Sequence, residues 1–228
     1  MKRSEINAIL RESAAFIRSF GVHLPPFAHL SPEALAASAP AEIKARGMGW
    51  DITDYGAGRF DEMGLVLFTL RNGRLADLGQ RSAMLYAEKI MISRRAQLSP
   101  RHRHVLKVED IINRGGGTLV VEVHAADADG GIDRDAGVTI MVDGAWRRLP
   151  AGGRLALAPG ESVTLMPHHW HAFWGEGGDV LVGEVSTVND DLTDNIFDPP
   201  VGRFATIEED AAPRRLLVSD YDRWLPDV

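Results

Sequence analysis

Apolar positions in residues 4–20 recur three and four apart. Ile6, Ile9, Leu10, Phe16, Ile17 and Phe20 form one stripe, the period of an amphipathic helix. Ser4 stands where an N-cap belongs and Gly21 where a helix ends. After Leu24-Pro25-Pro26, the run Ser31-Pro32-Glu33 sets a cap before a proline at the first helical position, which predicts a second, short helix to Ala37. From residue 50 the pattern changes to short apolar runs broken by glycines and turn dipeptides, the signature of a β-sandwich or barrel. The predicted strands are Leu65–Leu70, Tyr86–Ser93, Val105–Ile112, Thr118–His124, Val138–Val142, Arg154–Leu157, Ser162–Met166 and Val180–Thr187. Asn72-Gly73 and Asp143-Gly144 read as tight hairpin turns, Gly115-Gly116-Gly117 as a β-turn, and Asp190 to Pro200 as a loop at the rim or lid of a site. No Pro-, Ser- or Gly-rich linker and no fixed-period repeat divides the chain. The expected organisation is a single domain over 1–228, with a helical extension over 1–48 and a β-barrel with its C-terminal tail over 49–228.

Composition narrows the chemistry. The 228 residues carry 25 Lys+Arg against 32 Asp+Glu, a formal charge of −7, so no general nucleic-acid-binding surface is expected. No run approaches the ~18 apolar residues of a membrane span. The charged N-terminus offers no uninterrupted apolar region for a secretory signal, and a soluble, cytoplasmic protein is expected. The chain has no cysteine, which removes disulfides, thiolate metal sites and cysteine nucleophiles. Any metal must rest on histidine and carboxylate.

Of the eight histidines, five fall in two clusters, Arg101-His102-Arg103-His104 and Pro167-His168-His169-Trp170-His171. On a strand His102 and His104 share a face, so both imidazoles can meet one ion, and Glu109 follows five residues later. Imidazole plus carboxylate without thiolate suits a first-row divalent ion: Mn, Fe, Co, Ni or Zn. On the bland reading, His168 and His169 line a rim or cap a strand end. By the same measure His124 belongs to a solvated strand face, and the tryptophans belong to the core, with Trp170 and Trp174 placed to shape a pocket wall.

These residues resemble the cupin superfamily, small antiparallel β-barrels whose first motif matches His102, His104, Glu109 and Gly116 in spacing. Gly160, Pro167 and His171 follow the order of the second motif, but Pro167 to His171 is one residue short and no glycine lies two after the proline. That leaves His169 as a rival ligand. A closer likeness is carried by Gly49-Trp50-Asp51-Ile52-Thr53-Asp54, Phe68-Thr69-Leu70-Arg71-Asn72-Gly73, Tyr86-Ala87-Glu88-Lys89-Ile90-Met91-Ile92, Glu109-Asp110-Ile111-Ile112-Asn113-Arg114-Gly115-Gly116-Gly117, Phe173-Trp174-Gly175-Glu176 and Gly183-Glu184-Val185-Ser186. Together they resemble the bacterial D-lyxose isomerases. That resemblance implies an all-β cupin barrel behind a helical extension, a homodimer, Mn(II) as cofactor with Co or Ni as substitutes, and interconversion of D-lyxose with D-xylulose and of D-mannose with D-fructose. The family's run after its last histidine matches Ala172-Phe173-Trp174-Gly175-Glu176, which selects His171, and the implied ligands are His102, His104, Glu109 and His171.

An aldose–ketose isomerase needs a Lewis-acidic ion to stabilise the enediolate and a carboxylate to carry a proton between C2 and C1. Glu184 is the expected base. Lys89 is the expected donor, because a chain with only four lysines places one inside an apolar strand. It could instead snorkel, or pair with Glu88 or Glu109. Asp190, Asp191 and Arg203 are expected to hold the far hydroxyls of the sugar. Rival readings are an Fe(II) cupin dioxygenase, favoured by an apolar pocket, and a non-catalytic sugar-binding cupin, favoured if Glu184 and Lys89 point away from the metal. A phosphosugar isomerase would need a cationic cluster, for which Arg101, Arg103 and Lys107 are candidates. Alternation turns both arginines away from the metal face.

Overall fold

Most apolar runs pair as antiparallel strands, and the computed structural model of the protein describes residues 1–38, 41–80 and 82–225. Among the described residues eleven strands are present: β1 (Gly49–Thr53), β2 (Leu65–Asn72), β3 (Tyr86–Ser93), β4 (Ser99–His104), β5 (Glu109–Ala125), β6 (Val138–Val142), β7 (Ala145–Leu149), β8 (Gly153–Leu157), β9 (Ser162–Leu165), β10 (His169–Thr187) and β11 (Asn195–Phe197). The two long strands, β5 and β10, run antiparallel along most of their length and belong to both halves of the barrel. Their first and last portions respectively lie in the row β1-β2-β3-β10-β5-β9-β6-β7. Their other portions lie between β11-β4 on one side and β8 on the other. The fold is the all-β cupin barrel.

The glycine run is a strand corner and not the β-turn expected. Gly115 and Gly116 lie inside β5 at φ 150° and 98°, where β10 slips register against β5 between Glu176 and Val180. A Cβ on Gly116 would collide with the Asp179 carbonyl, so glycine lets the two backbones close up as they pass from one sheet to the other. Asn72-Gly73 is likewise not a two-residue hairpin, since a 3₁₀ turn at Leu75–Asp77 intervenes before β3. Asp143-Gly144 is one: both residues have positive φ, 49° and 77°, between β6 and β7. The expected strand Val105–Ile112 is split, because the Asp194 carboxylate accepts from the amides of Val105, Leu106 and Lys107 and draws them into a turn.

Helix α1 (Arg3–Ser19) and helix α2 (Pro32–Ala37) form where the periodicity placed them; the Ser31 hydroxyl caps α2 by accepting from the Ala34 amide. The buried face of α1, Ile6, Ile9, Leu10 and Ile17, packs on Trp50, Phe68, Ile90, Ile92 and Leu181 from the outer side of the barrel sheet. Each such aliphatic side chain contributes about 1.5–3 kcal/mol by leaving water. The inner side carries a separate core that includes Leu65, Leu67, Met91, Val180 and Val182. So β2, β3 and the end of β10 are buried on both faces. Lys89 and Glu184 alternate with the outward Ile90 and Leu181 and therefore face the barrel interior, as does Asp51 of β1, opposite Leu67. Among the described residues no helix is long and apolar enough to cross a membrane. The last three residues of the expected 49–228 unit lie outside the described residues.

Candidate metal centre and active-site cavity

His102 and His104 project from β4 into the barrel, His171 comes from β10 directly across from His102, and Glu109 opens β5. One donor atom from each of the four lies within 4.8 Å of the others. Backbone carbonyls fix the imidazoles: His102 Nδ1 is 2.9 Å from the Pro100 oxygen and His171 Nδ1 is 3.1 Å from the His169 oxygen. With the proton on Nδ1, each Nε2 keeps a lone pair for an ion, the arrangement of metal-binding histidines, and His171 Nε2 stands 3.2 Å from Glu109 Oε1. His171 Nε2 is buried without a hydrogen-bond partner. Burial holds the His102 imidazolium well below its ordinary range and also lowers His104. Three imidazole nitrogens and one carboxylate around an unsatisfied buried atom fit a first-row divalent ion.

A row of buried charges of alternating sign leads away from Glu109. Lys107 Nζ lies 2.8 Å from Glu109 Oε2 and 3.1 Å from Glu184 Oε1. Lys89 Nζ lies 3.5 Å from the same Glu184 oxygen and 3.3 Å from Asp191 Oδ1, and it donates to Asn189 Oδ1 at 2.6 Å. Arg203 closes the row between Asp191, at 2.9 Å, and Asp51, at 2.7 Å. Burial alone would lower the Lys107 pKa, but Glu109 and Glu184 raise it above the ordinary lysine value. Burial would raise Asp191; Lys89 and Arg203 hold it well below the carboxylate range. For Asp51 burial wins over Arg203 and the pKa is raised.

Glu184 Oε1 also accepts from the Ser186 hydroxyl at 3.1 Å, while Oε2 makes no hydrogen bond among the described residues. One oxygen is anchored and the other is available. His102, His104 and Glu109 of the quartet and Lys107, Glu184, Lys89, Asp191 and Arg203 of the row border one cavity, whose remaining wall is largely apolar.

Of the residues expected at the site, His102, His104, Glu109, Lys89, Glu184, Asp191 and Arg203 border this cavity, and His171 completes the quartet. Asp190 and Trp174 are placed elsewhere. The Asp190 carboxylate accepts from the amides of Leu192 and Thr193 and from the Thr193 hydroxyl, so it shapes its own loop. Trp174 lies on the outer face of β10, donates to Glu176 at 3.0 Å and stacks under Arg154. His169 is buried away from the quartet, accepts from the Met166 amide, and has a pKa lowered by burial to about 4. His124 is buried, contrary to a solvated face, beside Glu122. Arg101 and Arg103 turn outward to Glu122 and the Gly130 carbonyl, as alternation requires. Sequence reasoning missed Lys107, Asn189 and Asp51 as parts of the row. For Lys107 the signal existed, since the scarcity of lysine that marked Lys89 marks it equally.

The model of the D-lyxose isomerase family matches residues 1–221. The chain belongs to the D-lyxose isomerase family. It is 51% identical over 230 residues to a D-lyxose/D-mannose isomerase of Serratia proteamaculans, covering 99% of this chain and 100% of that one. It is 46% identical over 226 residues to a D-lyxose/D-mannose isomerase of Escherichia coli O157:H7, covering 97% and 98%. Family membership makes the protein an enzyme, a sugar isomerase. Among solved structures, an L-ribose isomerase of Cellulomonas parahominis superposes with a TM-score of 0.61 over 91% of this chain and 98% of that one. At 17% identity that likeness bears on the barrel alone.

Proposed function

We propose that the protein interconverts D-lyxose with D-xylulose and, more slowly, D-mannose with D-fructose, with Mn(II) held by His102, His104, Glu109 and His171. The observation that carries this reading is the half-anchored Glu184 carboxylate in the cavity beside that quartet. When bound, the ion supplies Lewis acidity toward two adjacent sugar oxygens. Glu184 Oε2 takes the proton from C2 and returns it to C1, the hydroxyl proton passing from O2 to O1, while Lys107 and Ser186 keep Glu184 Oε1 in place. The ammonium groups of Lys107 and Lys89 set fixed positive charge where negative charge develops on the substrate. Asp191 and Arg203 offer an acceptor and donors to sugar hydroxyls. The apolar wall opposite excludes water from the reacting carbons.

A dioxygenase reading called for an apolar pocket, and this cavity has a charged wall. A purely sugar-binding role called for Glu184 and Lys89 to turn away from the metal, and both face it. Family likeness further supports a homodimer, a single domain over 1–228 and a cytoplasmic site of action. The test is an NMR assay of metal-stripped protein re-supplied with Mn(II), against D-lyxose, D-mannose, D-ribose and D-xylose. Fastest conversion of D-lyxose, lost without the ion, is the expected result; no turnover of any free sugar overturns the reading.

A further inference from the structure

The cavity wall also holds a pair of hydroxyls that the chemistry above does not use. Strand β4 pairs with β10 through His102 opposite His171 and Ser99 opposite Phe173, three residues against two, so β4 is bulged between them. The extra residue turns Ser99 onto the same inner face as His102. Ser99 therefore stands beside the metal quartet, next to His102 and further along β4 from His104. Its Oγ lies 3.1 Å from the Tyr55 hydroxyl, and both side chains are buried. The Tyr55 ring packs edge-on against Phe197 at 5.6 Å between centroids, and Phe197 in turn lies 5.3 Å from the His102 ring. Tyr55 is thus one aromatic ring removed from a metal ligand.

Two features mark this pair as built for a ligand. First, Tyr55 has φ 55°, a left-handed backbone that side-chain-bearing residues seldom adopt. The conformation is clamped from both sides: the Tyr55 amide donates to the Thr53 hydroxyl at 2.9 Å, and the Tyr55 carbonyl accepts from the Gly202 amide at 2.9 Å, next to Arg203. A glycine would sit there without strain, so the tyrosine side chain has to offset a backbone cost. Second, two hydroxyls bring two O–H donors, and the bond between them uses one. Neither makes another hydrogen bond among the described residues, and burial pushes the Tyr55 phenol up to about 12, so its proton stays on. One donor is left over in a wall otherwise formed by side chains such as Leu65, Phe173 and Phe197, and buried donors need an acceptor.

We propose that the Tyr55–Ser99 pair is the subsite for the terminal hydroxyl of the open-chain sugar, the one remote from the reacting carbons. It rests on the isomerase reading. With C1 and C2 at the quartet beside Glu184, the carbon chain extends past His102 toward Ser99, and the spare donor meets the terminal oxygen. The pair then contributes to the choice of sugar and leaves the proton transfer itself untouched.

The test compares wild type, Tyr55→Phe and Ser99→Ala, each with Mn(II), on D-lyxose and on 5-deoxy-D-lyxose. Wild type should prefer D-lyxose by about tenfold in kcat/KM, the worth of one neutral hydrogen bond. In Tyr55→Phe, which keeps the ring and its packing, that preference should fall below about twofold because KM for D-lyxose alone rises and kcat holds. Ser99→Ala should move the ratio the same way. An equal loss on both sugars in both variants, the mark of a merely structural role, overturns the proposal, as does a wild type that does not distinguish them. A wild type inactive on both sugars removes the isomerase reading itself, and the proposal with it.

Discussion

Lys89 of β3 and Glu184 of β10 are direct partners across two neighbouring strands, both facing the barrel interior, with their charged groups 3.5 Å apart. The two strands hydrogen-bond over eight successive residue pairs, so this placement is set by backbone and not by loop conformation. Replacing Glu184 by Gln keeps the shape and the Ser186 bond but removes the proton acceptor. Turnover of D-lyxose should fall by about 10²–10⁴-fold with metal content and KM little changed. An enzyme retaining more than a tenth of its kcat would place the base elsewhere.

Lys107 sits between a metal ligand and the base, 2.8 Å from Glu109 and 3.1 Å from Glu184. Its ammonium repels a cation in the quartet while neutralising both carboxylates. In Lys107→Met, Mn(II) affinity by calorimetry should not weaken, whereas turnover should drop about 10–100-fold, the usual range for residues that support a metal ligand. A tenfold weaker Mn(II) affinity would mean that Lys107 acts by building the metal site.

Asp191 gives the row its pH dependence. Lys89 and Arg203 hold its carboxyl well below the ordinary range against the opposing effect of burial. A carboxylate whose pKa is depressed on folding stabilises the fold fully above its unfolded value, about 3.9, and loses that contribution as the pH falls through the folded value. Asp191→Asn should therefore cost about 1–3 kcal/mol at pH 7, where Lys89 and Arg203 each lose one of two carboxylate partners. The gap between variant and wild type should narrow below about pH 3.9. Urea unfolding at pH 7 and pH 3 measures both; a gap independent of pH would refute the assignment.

Much of this site could be read from residue spacing, and the failures share one physical origin. His102, His104 and Glu109 were legible because two of them alternate on one strand and the third opens the next. Glu184's direction was not, because β2, β3 and the end of β10 are buried on both faces, the inner by the barrel and the outer by α1. Polarity then no longer distinguishes inside from outside. Asp190 and Trp174 were misjudged from neighbours in sequence: a loop's own Asx bonds claimed the first, and strand alternation carried the second outward. The turn at Val105–Lys107 depends on Asp194, some ninety residues away, and no local pattern announces it.

The corner at Gly116 offers a test of the barrel independent of catalysis. Its φ of 98° alone would cost a side chain about 1–3 kcal/mol, and a Cβ would also meet the Asp179 carbonyl. Gly116→Ala should lower the urea midpoint by more than that strain accounts for, with α1 still helical by circular dichroism. Wild-type stability in this variant would show that β5 and β10 do not approach each other as closely as described.

The alternating charges along the cavity wall also act as a filter. Lys107, Lys89 and Arg203 are together the equipment of a phosphate site, yet each is already engaged by Glu109, Glu184, Asp191 or Asp51. A phosphorylated sugar would have to bring its dianion into that row and face those four carboxylic side chains at close range, with no cation left unpaired to receive it. A neutral sugar meets no such conflict, since hydroxyls can donate to the carboxylates and accept from the ammonium groups alike. In a mixed pool of free and phosphorylated sugars, the wall should favour the first over the second on charge alone, a preference that a competition assay with a sugar phosphate would measure.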